Sequence, residues 1–338
     1  MTEYTDELEM QHKLLEEFQS VTLSQAYYKI WCALSEGMNE GNIKFHGQNI
    51  DSKLWDVLNQ SEICSPVRIM DFGGGDGETM APIYRKLDVL NKEMIISVEE
   101  PHKGSLREYI KLIENIGKAS IDIAYPGPLK NYLGHTVQYL RALKAYPQQL
   151  QDRVLAVHVL YHLTSIFDEP FVPYENMKQS ISAMYAILKP GGQMVIVLDK
   201  NEDDLLGAAS LKCSEVLFPH KLKNHKLLFE VWHDLLFTGG IADVLNASFP
   251  MFKATIQLEE VVRQVFLPTL AEVGTAVSIG CLIGLCDGQS PFDQRILQSC
   301  MDYVKTDGYK HGLYHDSGGM WCFPLKNHYI AIKKVVNT

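Results

Sequence analysis

A histidine–tyrosine cluster follows an apolar run near the middle of the chain. The run is Arg153 to Val159, and His158, Tyr161 and His162 lie at its end. Imidazole and phenol groups can exchange protons with a substrate, and aromatic rings can stack on a cation or a planar ring. We predict that His158 hydrogen-bonds a substrate, that His162 accepts a proton and that Tyr161 forms an aromatic wall. The alternative is that both histidines are structural groups with satisfied partners.

A glycine-rich loop follows a second apolar run, Arg68 to Phe72. Its bare backbone would let a nucleotide-like group approach closely, and the helical pattern after it would present its N-terminus to that group. A dinucleotide fingerprint requires glycine at the first, third and sixth positions. Counted from Gly73, the sixth position is Glu78, and the glycines fall at the first, third and fifth. The loop residues expected to bind a cofactor are Asp71, Gly73, Gly74, Gly75 and Glu78.

A third apolar run ends in two acids. Met94 to Val98 is followed by Glu99, Glu100 and Pro101. Ligands bind outside the carboxyl ends of parallel strands, where an acid can accept hydrogen bonds from the hydroxyls of a ribose. We assign this role to Glu100, with Glu99 as the fallback, and the other acid would be merely solvated.

Apolar runs and turn residues predict five strands that must position these groups. The strands fall near residues 67–71, 94–99, 121–124, 153–159 and 192–198. Helical patterns lie between them, and strands that alternate with helices indicate a parallel sheet. A Lys-Pro-Gly-Gly turn at residues 189–192 precedes the fifth strand.

The chain outside these strands is predicted to be mostly helical. Residues 8–36 have a helical pattern that would form a lid over the site. Within it, Tyr27, Tyr28 and Trp31 are either an aromatic wall for a substrate or part of the core. The remaining predicted elements are inserted helices at 202–206 and 226–237, a last core helix at Leu258 to Leu270, strands at Ala276 to Leu285 and Cys322 to Val336, and a helix at Phe292 to Val304 between those strands.

In this order and spacing the segments resemble the class I S-adenosylmethionine-dependent methyltransferases, with the glycine loop as their first motif. The resemblance implies an α/β, Rossmann-like fold with S-adenosyl-L-methionine as the cofactor. The sheet would be seven-stranded and mostly parallel with a final antiparallel strand, and an N-terminal helical lid and helical insertions would accompany it. The expected organisation is a lid and substrate segment at 1–60, a cofactor-binding core at 61–200, and a helical insertion with the C-terminal part of the same sheet at 201–338.

The chain also resembles the histamine N-methyltransferase family over most of its length. The matching segments are Phe72–Gly75 with Gly77–Glu78, Val98 with Glu100–Pro101, Ile123–Tyr125, Val159–Tyr161, Phe323 and Tyr329–Ile332. By this resemblance, the residues that bind the cofactor include Tyr125, Val157 and His158 besides Gly73 and Glu100. His158 would also meet the substrate, beside the Tyr161 wall.

On the substrate side, Phe18 would close the pocket where the family has an N-terminal aromatic residue. The N-terminal glutamate of the family has no acidic counterpart in Ser24 to Tyr28, and its asparagine before the final strand is replaced by Leu325. The residues expected to bind substrate are Phe18, Gln25, Tyr28, Tyr161 and Asn327.

Composition excludes several classes of function. The net charge is −10, and no basic stripe is interleaved with aromatic residues, so a nucleic-acid partner is disfavoured and a small or cationic substrate is favoured. The seven cysteines contain no Cys-x-x-Cys pair, which predicts buried thiols of a reduced compartment. Two histidine pairs four residues apart, His158 with His162 and His311 with His315, are not on predicted helices, and no metal site is expected.

The N-terminus is acidic and lacks an apolar core, so no signal peptide is predicted. The most apolar later window, Val273 to Cys286, is too short to span a bilayer. We expect a cytoplasmic protein without a membrane partner, present as a monomer or a weak dimer.

Together these features predict a methyltransferase that acts on a nitrogen of a small amine or an imidazole-type metabolite. An O-methyltransferase or a carboxyl-methylating enzyme remains an alternative, because the N-terminal acid of the family is missing. A non-catalytic S-adenosylmethionine-binding protein is a second alternative. An NAD-dependent oxidoreductase is opposed by Glu78 at the position of the third fingerprint glycine.

Overall fold

The candidate site lies on a mixed β-sheet. The computed structural model describes residues 2–44, 50–58, 65–127, 150–163, 172–199, 203–282 and 290–337 of the chain. The strands are β1 (Val67–Phe72), β2 (Met94–Glu99), β3 (Ala119–Tyr125), β4 (Gln151–Val157), β5 (Leu188–Asp199), β6 (Phe252–Leu267), β7 (Tyr314–His315) and β8 (Trp321–Val336). The domain boundaries predicted at 60/61 and 200/201 lie outside the described residues.

Helices cover both faces of the sheet and fill the C-terminal half. They are α1 (Thr2–Glu17), α2 (Leu23–Lys44), α3 (Ile50–Leu58), α4 (Ala81–Val89), α5 (Lys103–Glu114), α6 (Val172–Ala186), α7 (Leu205–Leu217), α8 (Leu222–Trp232), α9 (Ile241–Ser248), α10 (Leu270–Val277), α11 (Ile279–Leu282) and α12 (Arg295–Asp307). Short 3₁₀ turns occur at Leu160–Leu163, Pro219–Lys221 and Gly308–His311, and a π-helical turn at His233–Phe237. In the described part of the chain, no helix combines the length and the apolar character needed to cross a membrane.

The strand order along the sheet is β3-β2-β1-β4-β5-β8-β6, and the two-residue β7 pairs with β8. Strands β1 to β5 are parallel, β8 is antiparallel to β5, and β6 is antiparallel to β8. This is the α/β, Rossmann-like arrangement of the class I methyltransferases, and the five predicted parallel strands are confirmed to within a few residues. The chain passes from one side of β1 to the other between β3 and β4, which creates a switch point at β1 and β4 where such sheets bind ligands.

The apolar strands pack against helices on both faces, as a parallel sheet requires. On one face, Phe72 and Ile196 belong to a core that includes side chains of α6, α8 and α9. On the other face, Ile69 and Val98 pack with α3, α4 and α5. A third core joins α2 to α7, α10, α11 and α12 and to the ends of β6 and β8.

Two predictions for the C-terminal third are wrong. Leu258 to Leu270 is not a helix, because it lies mostly in β6, which pairs with β8 along its whole length. Val261 and Val265 have helical spacing with Leu258, but β-branched residues pack better on a pleated strand. Ala276 to Leu285 is not a strand: its described residues are helical in α10 and α11, and residues 283–285 lie outside the described part.

A capping box is the signal that distinguishes α10 from a strand. The Thr269 side chain accepts a hydrogen bond from the Glu272 N–H at 3.1 Å, and the Glu272 carboxylate accepts one from the Thr269 N–H at 2.9 Å. A Thr-x-x-Glu sequence before an apolar run is typical of a helix start. The predictions of a helix at Phe292 to Val304 and of a final strand at Cys322 to Val336 are confirmed as α12 and β8.

The N-terminal helices pack on the C-terminal part of the sheet. At Gly41 in α2 an added Cβ would overlap the carbonyl group of Gln264 in β6, so α2 lies directly against that strand. At Gly37, one turn earlier, an added Cβ would lie 2.8 Å from Val265 Cγ1. Glu7 of α1 accepts hydrogen bonds from the first two N–H groups of α10, at 2.9 and 3.3 Å. A carboxylate at this position also complements the helix dipole.

Candidate active site

The glycine loop after β1 approaches an open space. Gly73 and Gly75 have positive φ angles of 63° and 60°, which side chains disfavour. An added Cβ at Gly73 would lie 2.5 Å from Val159 Cγ2, whereas one at Gly75 would meet no atom within 4 Å. Gly73 is therefore needed for packing inside the protein. Gly75 presents its backbone to open space, and we call this space the cleft.

The two acids at the end of β2 hold this loop from adjacent positions. The Glu99 carboxylate accepts a hydrogen bond from the Gly73 N–H at 3.1 Å, and the Glu99 carbonyl accepts one from Gly74 at 3.1 Å. The Glu100 carboxylate accepts from the Gly75 N–H at 3.0 Å and from the His102 N–H at 2.7 Å. Since Glu100 binds next to the glycine that faces open space, it is the acid beside the cleft.

Asp71 lies in the core beneath the loop. Its carboxylate accepts a hydrogen bond from the Tyr109 hydroxyl at 2.8 Å, and the Tyr84 hydroxyl lies 3.5 Å from the same oxygen. Tyr109 also contacts the loop, because an added Cβ at Gly74 would lie 2.8 Å from its ring. Asp71 therefore supports the loop through a tyrosine of α5.

Burial raises the pKa values of all three acids. The pKa of Asp71 rises to about 7 and that of Glu99 to about 8, because burial penalises the charged carboxylates. The pKa of Glu100 is also raised, mainly by burial, although the N–H groups of His102 and Gly75 oppose this. The site thus carries less negative charge near neutral pH than three ordinary carboxylates would. A cation in the cleft would favour their ionised forms.

His158 follows β4 in an unusual backbone conformation. Its φ angle is 56°, its N–H donates to the Val197 carbonyl at 2.9 Å, and its Nδ1 is hydrogen-bonded to the Tyr161 hydroxyl at 2.8 Å. A non-glycine residue with positive φ is uncommon and persists where surrounding contacts determine it. These contacts fix the orientation of the His158 imidazole at the carboxyl end of the sheet.

Three aromatic residues of α2 each pack on one histidine at the carboxyl edge of the sheet, and we name this contact the aromatic–histidine seam. Its pairs are Trp31 with His158 at 5.4 Å between ring centroids, Tyr27 with His162 at 5.2 Å, and Tyr28 with His102 at 5.7 Å. The seam places α2 over the ends of β2 and β4. It brings His158, His162 and Tyr28 to one edge of the sheet. Tyr27 and Trp31, predicted as either an aromatic wall or core, and His102, which has no predicted role, lie at the same edge.

His102 has no predicted role, although the sequence contains a signal for it. It follows the proline that ends β2 and caps α5, because its Nδ1 accepts a hydrogen bond from the Ser105 N–H at 3.2 Å. A polar side chain just before a helical pattern at a strand end is typical of an N-cap.

His162 lies in the seam, where protein surrounds its ring although the residue retains exposed surface. Its Nε2 lies 3.3 Å from the Tyr27 hydroxyl. Burial lowers its pKa to about 4, because the surrounding protein penalises the imidazolium. At neutral pH the ring is mostly uncharged, because even the ordinary histidine pKa of about 6.5 lies below 7.

The remaining predicted cofactor residues lie at strand ends or on the loop. Tyr125 ends β3, and its carbonyl accepts a hydrogen bond from the Glu100 N–H at 3.1 Å. Val157 ends β4 and is half-buried. Glu78 is exposed, and its N–H donates to the Asp76 carboxylate at 3.1 Å.

Three predicted substrate residues have other structural contacts. Phe18 is buried and packs on Phe292 with ring centroids 5.6 Å apart, in the third core. The Gln25 side chain accepts a hydrogen bond from the Thr22 N–H at 2.9 Å, in a capping box that begins α2. Asn327 is fully buried in β8, opposite Asp199 at the carboxyl end of β5.

The histidines of the two predicted pairs have separate aromatic partners. His158 and His162 bond to different tyrosines, while His311 bonds to Tyr303 and His315 packs on Trp321. Among the described residues, a group with metal-ligating side chains close together is formed instead by Cys213, Cys281 and Cys300. Cys64 and Cys286 lie outside the described residues.

No family model and no curated protein matches the sequence. Among solved structures, the chain is similar to a Bacillus halodurans protein assigned to the methyltransferases, with 11% identity and a TM-score of 0.45, over 84% of this chain and 100% of that one. It is similar to the plantazolicin methyltransferase BpumL in complex with SAH, with 15% identity and a TM-score of 0.43, over 96% and 99%. It is also similar to a SAM-dependent methyltransferase from Geobacter sulfurreducens bound to S-adenosyl-L-homocysteine, with 12% identity and a TM-score of 0.40, over 85% and 90%. At these values the similarity assigns no activity, and the fold assignment rests on the strand order of the chain itself.

Proposed function

We propose that this protein is an S-adenosylmethionine-dependent methyltransferase that methylates a nitrogen of a small amine or an imidazole-type metabolite. The observation that carries the proposal is the pairing of Gly75 and Glu100 where β1 and β2 end. Gly75 has open space where a side chain would lie, and its N–H donates to the Glu100 carboxylate at 3.0 Å. A bare backbone beside an acid leaves room for an adenosyl group and offers an acceptor to ribose hydroxyls.

The buried acids support this cofactor over a dinucleotide. When bound, S-adenosylmethionine supplies a methyl group activated by a positively charged sulfonium. Asp71, Glu99 and Glu100 have raised pKa values, and a nearby cation would stabilise their ionised forms. The pyrophosphate of a dinucleotide would instead disfavour their ionised forms further. The positions of the loop glycines disfavour a dinucleotide for an independent reason.

The aromatic–histidine seam supports a cationic or planar acceptor. Tyr27 and Trp31 of α2 pack against histidines that follow β4, so aromatic faces line the edge of the sheet beside the cofactor loop. Such faces attract cations and stack on planar rings. An imidazole ring or a protonated amine would therefore be held at this edge.

The acceptor nitrogen must lose its proton before it attacks, and His162 is poorly suited to hold that proton. The pKa of His162 is lowered to about 4, far below that of an alkylammonium, which is ~10. We therefore give His162 the role of a hydrogen-bond acceptor. The amine would then release its proton to solvent before it attacks. This modifies the role of proton acceptor that the sequence suggested for His162.

Donor affinity tests the first half of the proposal. We expect Glu100→Ala to weaken binding of S-adenosylmethionine by about 1–3 kcal/mol, or about 5- to 150-fold, because a ribose acceptor is lost. Glu93→Ala is the matched control, since Glu93 is an exposed acid just before the opposite end of β2. Calorimetry measures both affinities. If Glu100→Ala binds as tightly as wild type, the ribose acceptor is misassigned and Glu99 is the next residue to replace.

An assay of methyl transfer tests the second half of the proposal, which is the chemical class of the acceptor. The purified protein is incubated with methyl-labelled donor and a metabolite extract, and the labelled products are identified by mass spectrometry. An N-methylated small amine or imidazole supports the proposal. A methylated hydroxyl or carboxyl group would replace it with one of the alternative transferases, and donor binding without any labelled product would favour a non-catalytic binding protein.

A further inference from the structure

Three cysteine thiols meet inside the third core, away from the glycine loop. Cys213 lies on α7, Cys281 on α11 and Cys300 on α12. Their sulfur atoms all lie within 4.8 Å of one another, and those of Cys281 and Cys300 are 3.6 Å apart. Three thiols from three separate helices thus face one point.

The spacing of the sulfur atoms fits a single bound ion. A thiolate sulfur lies about 2.3 Å from a bound metal such as zinc. Three sulfurs placed trigonally around one ion at that distance are about 4 Å apart. One separation is 3.6 Å and none exceeds 4.8 Å, so small rotations of the cysteine side chains would complete the site.

The helices that carry the thiols are packed closely enough to hold this geometry. At Gly280, beside Cys281, an added Cβ would lie 2.8 Å from Leu206 Cδ2 and 3.0 Å from the Leu206 carbonyl oxygen. This glycine lets α11 lie directly on α7, which carries Cys213. The α12 helix also packs against α7. The three sulfurs are therefore fixed by helices rather than by a long loop.

The three sulfur ligands determine which kind of metal ion the group would bind. Thiolates bind soft ions such as Cu(I) and zinc, whereas magnesium, calcium and manganese prefer oxygen ligands. Cys213 and Cys300 are 1% and 0% exposed, and Cys281 is 7% exposed, so a water ligand is disfavoured. Among the described residues, the group contains three cysteine sulfurs and no histidine or carboxylate side chain. Structural zinc is almost always four-coordinate, whereas Cu(I) accepts three thiolates alone.

We propose that Cys213, Cys281 and Cys300 form a trigonal three-thiolate site for Cu(I). Each sulfur binds the ion as a thiolate and releases its proton to solvent, and the oxidation state of the metal and of the sulfurs does not change. The bound ion links α7, α11 and α12, and α11 in turn packs against α2, which carries the seam. The proposal is independent of the methyltransferase activity.

The test is an anaerobic titration of the full-length, reduced protein with Cu(I) in competition with a chromophoric Cu(I) chelator. We expect wild-type protein to withdraw one equivalent of Cu(I) per chain, and we expect Cys300→Ser and Cys281→Ser to lose this binding. Cys322→Ser is the matched control, because Cys322 is a fully buried thiol of β8 outside the group, and it should bind as wild type does. Circular dichroism shows whether each variant is folded.

X-ray absorption at the copper edge tests the proposal on wild-type protein, so the result does not depend on whether a serine variant folds. Wild-type protein loaded with one equivalent of Cu(I) should show three sulfur neighbours and no nitrogen or oxygen neighbours. Nitrogen or oxygen ligands would overturn the proposal. Equal Cu(I) binding in folded Cys300→Ser and wild type, or no competition with the chelator by wild type, would also overturn it.

Discussion

Replacing Asp71 with asparagine tests the electrostatics beneath the glycine loop. The Asp71 side chain is 2% exposed and accepts a hydrogen bond from Tyr109 at 2.8 Å. Burial raises its pKa to about 7, and the hydrogen bonds from the two tyrosines oppose this only partly. Asparagine has nearly the same shape and keeps an oxygen for the tyrosine, but it has no acidic proton to lose. Asp71→Asn therefore removes one titrating group and little else.

The pKa of this single group implies a large pH dependence of stability. The folded protein keeps the Asp71 proton up to about pH 7, whereas the unfolded chain releases it near pH 3.8. Between these values the folded state binds more protons, so the free energy of unfolding falls as pH rises. The slope is about 1.4 kcal/mol per pH unit, and the total is on the order of 4 kcal/mol. The contribution of the Asp71 proton to the free energy of unfolding is fully present below the unfolded-state pKa of 3.8. It is lost above the folded-state pKa of about 7.

Urea unfolding at a series of pH values measures the effect. We expect wild type and Asp71→Asn to have similar free energies of unfolding near about pH 4, and the variant to become the more stable protein by about pH 8. Asp88→Asn is the control, because Asp88 is a half-buried aspartate that also accepts a backbone hydrogen bond, from Lys118 at 2.9 Å. The pH dependence of Asp71→Asn relative to wild type is compared with that of Asp88→Asn, measured over the same range.

A difference between wild type and Asp71→Asn that does not change with pH would refute this reasoning. It would mean that Asp71 is already ionised in the folded protein and that Tyr84 and Tyr109 offset its desolvation. The site would then hold a fixed negative charge, and the proposed effect of a bound cation on the ionisation of Asp71 would lose its basis.

Three further substitutions test the glycine loop, the seam and a buried lysine. Gly75→Ala should abolish donor binding in calorimetry by filling the cleft, whereas Gly191→Ala, also at a positive φ with open surroundings, should only reduce stability, by about 1–2 kcal/mol. Tyr27→Phe should raise the KM for the acceptor several-fold in steady-state assays without changing donor affinity, whereas Tyr303→Phe, which removes another tyrosine–histidine contact, should change neither. Lys334→Met should lower the free energy of unfolding in urea by about 2–4 kcal/mol, because three backbone carbonyls at the end of α6 and the start of β5 lose their donor. The assignments would be contradicted by unchanged donor affinity in Gly75→Ala, by an unchanged KM in Tyr27→Phe, or by unchanged stability in Lys334→Met.

The strand ends and the glycine loop of the proposed donor side can be predicted from the sequence because they are local junctions. β1 breaks into glycines at Gly73, and β2 ends at Glu99 and Glu100 before a proline. Each junction is contained in about ten residues, and the parallel strands that carry them are continuous apolar runs, as strands covered on both faces are. Local patterns of this kind need no knowledge of distant contacts.

The acceptor side cannot be predicted in this way because distant segments form it. Tyr27 and His162 are 135 residues apart in the sequence and meet at the seam. Helical spacing on α2 gives no indication of which face lies on the sheet, since a core face and a ligand-binding face have the same period. Phe18 and Gln25 were chosen by resemblance, and the structure engages them in a core contact and a helix cap. The three-thiol group is likewise assembled from three helices that no local pattern connects.

The glycine loop and the seam depend on different parts of the chain, so the proposed donor and acceptor sides are held by separate contacts. The loop is fixed by the acids of β2 and by Tyr109 of α5, which lie in the first half of the sheet. The seam is fixed by α2, which lies against β6 at Gly41 and packs on α10. A change in β6 or α10 can therefore move the acceptor side while the donor side stays in place. If the proposed function holds, the glycine loop therefore gives no information about the acceptor, and the side chains that α2 presents over the ends of β2 and β4 are the ones to vary in a search for it.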